Sequence, residues 1–438
     1  MTVATSDVEA IVFEVIEELL DTIDTDFEDE LSSSALLVAD VGFSSIDFVQ
    51  MIVSIEEKLG AKIGFQDMLM SDGKYVEDLS VGQVVDFTVN RLNNPQLAVA
   101  TPEAVATPEP AAATGPTITE QDVSVFTTLI KPRQAAGAPP AAGKNPRAVF
   151  VLSPPRSGST LLRVMLAGNP ALFAPPELHV LSYASMDERR ADLDGERGDQ
   201  LREGAVRSLM QTRDWSAEQA RDLIESYEAR GESTGEFYAQ LQQGLGQRLL
   251  VDKTPTYAFS VDILRQAETF FDNPLYIHLV RHPCGMIRSY EESDLTRMMP
   301  LMMKSSAFSS SAVAEMIWLM SNRNIMQFSQ QIPAERWCAV SYENIVNDPQ
   351  GQMGRLCDFM DVDYHEDMIH PYSDNNARMT DGVDNSSKMS GDLKFHLHSQ
   401  IDPAAATRWR QFCSEAMLGE PTLDLLSTID TEVARIRV

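Results

Sequence analysis

The chain has 438 residues, enough for two or three domains of roughly 100–200 residues each. Hydrophobic residues make up 43% and charged residues 23%, a balance typical of globular domains with a sizeable core. The formal net charge of −30 disfavours general nucleic-acid binding, because a phosphate polyanion would be repelled. No apolar run reaches the ~20 residues of a membrane span, and no basic residue precedes an apolar stretch at the N-terminus. We therefore expect neither a membrane anchor nor a signal peptide.

The acidic residues are concentrated in the N-terminal part of the chain. Residues 1–95 contain 20 acidic and 4 basic residues, a net charge of −16, whereas the rest of the chain carries −14. More than half of the excess charge thus lies in less than a quarter of the sequence. This imbalance predicts a composite, multidomain chain.

The first 92 residues have the pattern of an all-α bundle. Three helices are predicted from apolar residues at helical spacing. The first stripe is Val8, Val12, Val15, Leu19 and Ile23, the second is Phe48, Ile52, Ile55 and Leu59, and the third lies within Ser80–Leu92. We expect a three-helix domain over 1–92.

Residues 93–146 have a linker composition. Nine prolines punctuate sequence rich in alanine, threonine and glycine, which cannot bury enough apolar surface to fold alone. Val123–Ile130 is an apolar exception, and we expect it to dock on a neighbouring domain as a helix or a strand.

Residues 147–438 have an α/β pattern. Short apolar runs at 148–153, 249–251, 276–280 and 337–341 alternate with helix-length segments, which predicts a parallel sheet. Residues 185–247 are polar and helical in pattern, and we interpret them as a cap inserted over a site.

The cysteines, Cys284, Cys338, Cys357 and Cys413, show no paired short spacing. Paired spacing is typical of zinc ribbons, and disulfide frameworks are typical of small secreted domains. We therefore expect no disulfide framework, no bound metal and a reducing, cytoplasmic compartment.

The start of the second predicted helix carries two serines. Ser44 is suited to cap the helix, with Asp47 completing a capping box. Ser45 then occupies the first helical position, where the helix dipole favours an anionic group. Either both serines only cap the helix, or Ser45 carries a phosphodiester.

An acidic three-helix domain with Gly-x-x-Ser-Ile-Asp opening helix two resembles the acyl carrier proteins. The resemblance implies that Ser45 carries 4′-phosphopantetheine. It also implies docking of basic partner enzymes on an acidic helix surface. The residue before the modified serine is usually Asp in that family, and this chain has Ser44.

A phosphate-binding loop is predicted in FVLSPPRSGSTLL, where a strand runs through a turn into a helix. Gly158 allows close backbone approach to an anion, and the N–H groups of Ser157, Gly158, Ser159 and Thr160 open the helix. Ser159 stands where a nucleoside triphosphatase has lysine, and Arg156 supplies the positive charge instead. Magnesium-dependent phosphoryl transfer is therefore disfavoured.

The string PPRSGSTLL resembles the 5′-phosphosulfate loop of sulfotransferases that use 3′-phosphoadenosine-5′-phosphosulfate (PAPS). Three more segments, in order, are similar to the same family: VDKTPTYAF, YIHLVRHPCGMIRSY and WCAVSYENIVNDP. The resemblance implies a P-loop-like α/β fold in which Arg281 and Ser289 bind the 3′-phosphate and Tyr342 lies near the nucleotide. Lys394 is similar to a late phosphate-contacting lysine of the family.

The same resemblance implies the catalytic groups. Glu177, in APPELHVL, matches the glutamate base of tyrosylprotein sulfotransferases, Lys253 would stabilise the leaving oxygen, and Arg156 would bind the sulfonate. His396 is a reserve candidate for the base. Alternatively, Glu177 is a surface group that only caps or pairs. The methionine-rich stretch 298–303 is either adaptable core or the lining of a site for an acyl chain.

Together these features resemble the carrier–sulfotransferase pairs of olefin-forming (curacin-type) polyketide synthases. The hypothesis is that PAPS donates a sulfonate to the β-hydroxyl of an acyl thioester held on Ser45, leaving 3′-phosphoadenosine-5′-phosphate (PAP). The expected partners are upstream synthase modules, a phosphopantetheinyl transferase and a separate thioesterase, without nucleic acid or membrane. The alternatives are a free small-molecule alcohol as acceptor, a non-catalytic scaffold and a P-loop kinase.

Overall fold

The computed structural model of the chain consists of two units. One comprises Met1–Thr107 and Leu393–Ser399, and the other Pro108–Asp392 and Gln400–Val438. The residues that the structure describes are 5–20, 27, 31–43, 51, 52, 54–56, 58, 59, 61, 63, 65, 68, 70, 71, 74, 75, 78–93, 117–130, 137–291, 308–374, 377–380, 395 and 398–435.

The first unit is built on helices. The helix α1 is Thr5–Leu20, residues 51, 52, 54–56, 58 and 59 are helical, and α2 is Val81–Asn93. The predicted apolar stripes face one core, which includes Val8, Val12, Val15, Ile52, Ile55, Val81 and Val84. Ile23 and Phe48 lie outside the described residues.

The first unit also contains β-structure, so the all-α prediction is wrong for residues 70, 71, 74 and 75. The short strands β1 (Met70–Ser71) and β2 (Lys74–Tyr75) pair antiparallel, with Met70 opposite Tyr75. This pair is too short for its apolar pattern to be recognised as strands in a sequence.

The second unit is an α/β domain with a five-stranded parallel sheet, as predicted. Its strands are β3 (Ala148–Leu152), β4 (Leu172–Phe173), β5 (Leu249–Lys253), β6 (Leu275–Val280) and β7 (Trp337–Ser341), in the order β4-β5-β3-β6-β7. The central strands β3 and β6 are buried at every position, because helices cover both faces of such sheets.

The helices outside the predicted cap either connect successive strands or follow β7, the last strand. They are α4 (Ser159–Ala167), α9 (Val261–Phe270), α10 (Pro283–Glu291), α11 (Ser310–Ser329), α12 (Tyr342–Asn347), α13 (Pro349–Met360) and α14 (Glu420–Arg435). Short 3₁₀ turns lie at Pro255–Phe259, Ala334–Arg336, Glu366–Ile369, Pro403–Ala406, Arg408–Gln411 and Glu415–Met417.

The inserted segment predicted at 185–247 is helical. It forms α5 (Met186–Asp192), α6 (Glu196–Arg213), α7 (Ala217–Arg230) and α8 (Thr234–Gln243). Their buried side chains, including Leu209, Ile224 and Phe237, share one core with Phe150 and Tyr276 of the sheet. This shared core holds the inserted helices on the sheet.

The end of the predicted linker packs on the second unit. Residues Glu120–Ile130 form the helix α3, which confirms the docking segment. Val123 and Phe126 are buried in the core that contains Trp318 of α11, and Glu120 pairs with Arg323 of the same helix. Helix α3 therefore packs in the same hydrophobic core as α10 and α11 and is not part of a free linker.

A disulfide joins Cys284 of α10 to Cys413, although the cysteine spacing argued against a disulfide framework. The two cysteines are 129 residues apart in the sequence, and their Cα atoms are 5.7 Å apart. Spacing along the chain carries no sign of such a pairing, because the fold brings the two segments together. The ring of Trp409 also stacks on His282, with centroids 3.9 Å apart.

Loss of this disulfide is expected to destabilise the second unit. Because the bond closes a long loop, Cys413→Ser or reduction should lower the free energy of unfolding by about 2–5 kcal/mol. Denaturant titration with and without a thiol reductant measures the difference. Reductant should have no further effect on Cys413→Ser, and equal stability of the oxidised and reduced wild-type protein would contradict the prediction.

None of the helices in the described part of the chain is long and apolar enough to cross a membrane.

Candidate active site at the carboxyl ends of the strands

The segments that carry the candidate residues follow the carboxyl ends of neighbouring strands. The loop with Arg156 follows β3, Lys253 ends β5, Arg281 follows β6 and Tyr342 follows β7. Because these strands are parallel, their carboxyl ends lie at one edge of the sheet. Open α/β sheets bind ligands at this edge.

The loop after β3 has the geometry of an anion cradle. Arg156 and Gly158 have φ angles of 62° and 83°, and Gly158 caps the start of α4. The N–H groups of the first helical turn have no carbonyl partners within the helix and favour an anion at this end. The hydroxyls of Ser153 and Ser157 are buried without a hydrogen-bond partner among the described residues.

Two features require glycine at position 158: its positive φ angle and the ring of Tyr342 beside it. A Cβ atom at this position would lie 2.3 Å from Cδ2 of Tyr342. The ring of Tyr342 therefore lies directly against the loop between β3 and α4. Ser159 is buried and Thr160 is partly exposed on the first turn of α4.

Arg156, Arg281 and Ser289 lie together although they are distant in the sequence. Arg281 Nη1 donates to the carbonyl oxygen of Arg156 at 2.8 Å, and Arg156 Nε donates to Ser289 Oγ at 3.3 Å. Arg281 precedes α10 and Ser289 is on it. The guanidinium of Arg281 also lies 4.4 Å from the ring centroid of Tyr342. These contacts place two cations and a hydroxyl beside the loop.

Glu177 and Lys253 form a largely buried ion pair. Lys253 Nζ lies 2.6 Å from Glu177 Oε1, and the side chains are 2% and 16% exposed. Glu177 is therefore largely shielded from solvent, and its pairing with Lys253 is compatible with a structural as well as a catalytic role. Burial opposes ionisation of Glu177, but the Lys253 ammonium and His179 outweigh it and hold the pKa of this carboxyl well below its usual range. Burial lowers the pKa of Lys253, and Glu177 partly offsets this effect.

His179 is a neighbour of Glu177 that the predicted catalytic set did not include. Its Nε2 atom lies 3.3 Å from Glu177 Oε2, although the contact does not have hydrogen-bond geometry. The residue has a left-handed backbone, with φ of 47°, and residues 177–179 do not form a strand. The only sequence signal was the spacing of two residues from Glu177.

Asp252 was also missed by the sequence analysis. Its carboxylate is buried and accepts hydrogen bonds from the hydroxyls of Tyr238, Tyr257 and Thr254, at 2.5, 3.1 and 3.2 Å. Burial raises the pKa of Asp252 to about 6, against the opposing effect of these hydroxyl donors. A P-loop kinase needs an acidic residue that is free to bind magnesium. The Asp252 carboxylate is not free in this way, because it already accepts hydrogen bonds from three hydroxyls.

Three predicted site residues, Ser45, Lys394 and His396, lie outside the described residues, as does the methionine-rich stretch 298–303. Within the described part of the chain, no group of His, Cys, Asp and Glu side chains is arranged to hold a metal ion.

Comparisons with known proteins agree with this geometry. A sequence profile of the sulfotransferase family matches residues 146–366. The solved sulfotransferase domain from the curacin biosynthetic pathway is 37% identical, with a TM-score of 0.60, over 66% of this chain and 99% of that domain. The sulfotransferase domain of the Synechococcus PCC 7002 olefin synthase is also 37% identical, with a TM-score of 0.57, over 67% of this chain and 96% of that domain. No curated protein sequence matches the chain.

Proposed function

The chain belongs to the sulfotransferase family, and from this premise we propose that it sulfates an acyl chain held on its own carrier domain. In this proposal the donor is PAPS, the carrier is the phosphopantetheinylated first unit, and the acceptor is the β-hydroxyl of the acyl thioester. The observation that supports the proposal is the Glu177–Lys253 ion pair, in which a carboxylate and an ammonium meet at the sheet edge that bears the loop after β3.

The residues present fit a nucleotide with two anionic ends. The N–H groups from Ser157 to Thr160, with the unpartnered Ser157 hydroxyl, would hold the 5′-phosphosulfate. Arg281 and Ser289 would hold the 3′-phosphate, and their contacts with Arg156 link the two anion sites. When bound, PAPS supplies an activated sulfonate and leaves as PAP.

Glu177 is the proposed general base. Its lowered pKa keeps the side chain ionised at neutral pH, so it is ready to accept the proton of the acceptor hydroxyl. A carboxylate with a low pKa is a weak base. Movement of the Lys253 ammonium away from Glu177 would raise the basicity of the carboxylate, because the nearest positive charge would be lost.

Lys253 is the proposed electrophilic group, together with Arg156. Its ammonium is nearly completely buried, and a positive charge in a site that excludes water stabilises developing negative charge strongly. In the proposed reaction Lys253 leaves Glu177 to stabilise the departing oxygen, while Glu177 takes the proton. The Lys253 ammonium would thus first pair with Glu177 and then stabilise the departing oxygen of PAPS.

Similarity and sequence support the carrier-bound acceptor. The two 37% identical domains are named for curacin biosynthesis and an olefin synthase. The first unit has helices at the predicted positions, and Ser45 lies in its carrier-like motif. The chain between Asn93 and Thr117 can extend to roughly 80 Å at most, and such a tether raises the effective concentration of the acyl group to the millimolar order.

The test is mass spectrometry of the intact protein. Wild-type protein is first loaded by a phosphopantetheinyl transferase with a 3-hydroxyacyl group and then incubated with PAPS. We expect the mass of one sulfonate on the carrier. Ser45→Ala should take up neither the acyl group nor the sulfonate, because no phosphopantetheine can attach, and it should still bind PAP.

Ser44→Ala is the matched control, since it changes the neighbouring serine and should still be loaded and sulfated. Sulfonate found on a free 3-hydroxyacyl substrate, but never on the carrier, would contradict the carrier-bound acceptor and favour the free alcohol. Failure of the wild-type protein to bind PAP would instead contradict the enzyme assignment and favour a scaffold.

A further inference from the structure

The backbone that follows Glu177 is held by a buried arginine of the inserted segment. Arg189 Nε donates to the carbonyl oxygen of His179 at 2.9 Å, and Nη2 donates to that of Leu178 at 3.0 Å. Arg189 is on α5 and is completely buried. Its two carbonyl partners are the residues immediately after the proposed base.

The left-handed turn at His179 makes this contact possible. With φ of 47° at His179, the carbonyls of two successive residues accept from one guanidinium. A non-glycine residue in this region has an unfavourable backbone conformation that surrounding contacts must stabilise. The planar guanidinium, with its donors in a fixed fork, provides two such contacts.

The next two residues, Val180 and Leu181, are held by a different side chain, that of Tyr257. The amides of Val180 and Leu181 donate to the hydroxyl oxygen of Tyr257, at 3.1 and 3.2 Å. Tyr257 in turn donates to Asp252, which precedes Lys253 in β5. The backbone after the base is therefore connected both to α5 and to the strand that carries its cationic partner.

A third contact reaches the backbone of Glu177 itself. A Cβ atom on Gly204 of α6 would lie 2.0 Å from the carbonyl oxygen of Glu177. The helix therefore approaches this carbonyl more closely than any side chain larger than that of glycine would allow.

Burial of Arg189 lowers the stability of the folded protein in a way that burial of an apolar side chain would not. Burial lowers its pKa to about 10, since the charged form is desolvated. Its Nη1 atom has no hydrogen-bond partner among the described residues. A buried cation with an unsatisfied donor lowers stability, and the two hydrogen bonds to the backbone after Glu177 offset part of this loss.

We propose that Arg189 is a positioning residue that fixes Glu177 against Lys253 by binding the carbonyls of Leu178 and His179. This inference deepens the proposed function and rests on Glu177 being the base. Arg189 does not contact the carboxylate. It acts through the backbone, so that a residue of the inserted helices helps to position the catalytic pair.

The test compares Arg189→Met with Arg189→Lys in the full chain. Arg190→Met is the matched control. Arg190 follows Arg189 in the sequence, its own side chain is 55% exposed, and it pairs with Glu228 instead of with the backbone after Glu177. The assay uses PAPS and 3-hydroxyoctanoyl-pantetheine. We expect kcat to fall about 10- to 100-fold in Arg189→Met, as for a displaced catalytic group, with unchanged PAP affinity. Arg189→Lys should recover part of the loss, and Arg190→Met should match wild type.

A double variant separates positioning from general destabilisation. If Arg189 acts through Glu177, Arg189→Met should lower kcat much less in a Glu177→Gln background than in wild type. Hydrogen exchange without nucleotide gives a second readout that does not depend on activity. Exchange of the Val180 and Leu181 amides should become faster in both Arg189 variants and remain unchanged in Arg190→Met.

Wild-type kcat and wild-type amide exchange in Arg189→Lys would overturn the inference, even if Arg189→Met does not fold. An equal loss of kcat in the wild-type and Glu177→Gln backgrounds would also overturn it. Full activity of Glu177→Gln alone would instead refute the proposed base. The failure of the inference and the failure of the proposed function are thus distinguishable.

Discussion

Glu177→Gln is expected to lower kcat by about 10²–10⁴-fold, the usual contribution of a general base. The amide has nearly the same shape as the carboxylate and can still accept a hydrogen bond from Lys253, but it cannot take a proton from the acceptor hydroxyl. PAP binding should change little, because the predicted nucleotide contacts lie on the loops after β3 and β6. Steady-state kinetics and calorimetric titration with PAP measure the two effects separately.

The matched control for this substitution is Glu225→Gln. Glu225 is an exposed glutamate on α7, so the same loss of charge should leave kcat and PAP affinity at wild-type values. A kcat of Glu177→Gln within about threefold of wild type would be far smaller than the effect of losing a base, and it would direct attention to His396 as the base.

Lys253→Met is expected to lower kcat by about 10²–10³-fold, the magnitude found when a group that stabilises developing charge is removed. Methionine fills much of the space of the lysine stem without its charge. Thermal unfolding should verify that the variant is folded, because removing the ammonium leaves the carboxylate of Glu177 without its nearest cation. Lys144→Met, at an exposed position of the same unit, is the control.

The same variant should change the pH dependence of kcat. In the wild-type protein the pKa of Glu177 is held below its usual range despite burial, because Lys253 and His179 favour the charged form. Without the Lys253 charge, burial is less well opposed, so the pKa must rise. The acidic limb of the profile should therefore move to higher pH in Lys253→Met. An unchanged limb would mean that Glu177 does not determine it.

Features encoded in contiguous sequence were predictable. The stripe Val8, Val12 and Val15 predicted the buried face of α1, and the runs at 148–153 and 337–341 predicted β3 and β7. The string PRSGST predicted the loop between β3 and α4. In each case the determining interactions are local: side-chain periodicity, helix capping and the backbone freedom of glycine.

The pairings between distant segments were not predictable in the same way. Glu177 and Lys253 are 76 residues apart, and Arg156 and Ser289 are 133 apart. The sequence identified these residues as candidates one by one. Their contacts depend on the strand order β4-β5-β3-β6-β7, which places the ends of β5 and β6 on either side of the loop after β3.

The sequence by itself determined that the chain is composite, that an acidic helical segment precedes an α/β enzyme, and that a glycine-containing loop joins β3 to α4. Only the tertiary structure decided that Glu177 pairs with Lys253, that Arg189 donates to the carbonyl of His179, and that Cys284 is bonded to Cys413. The physical reason is the range of the interactions. Periodicity and capping act within a few residues, whereas burial, ion pairing and disulfide formation depend on which segments the sheet brings together.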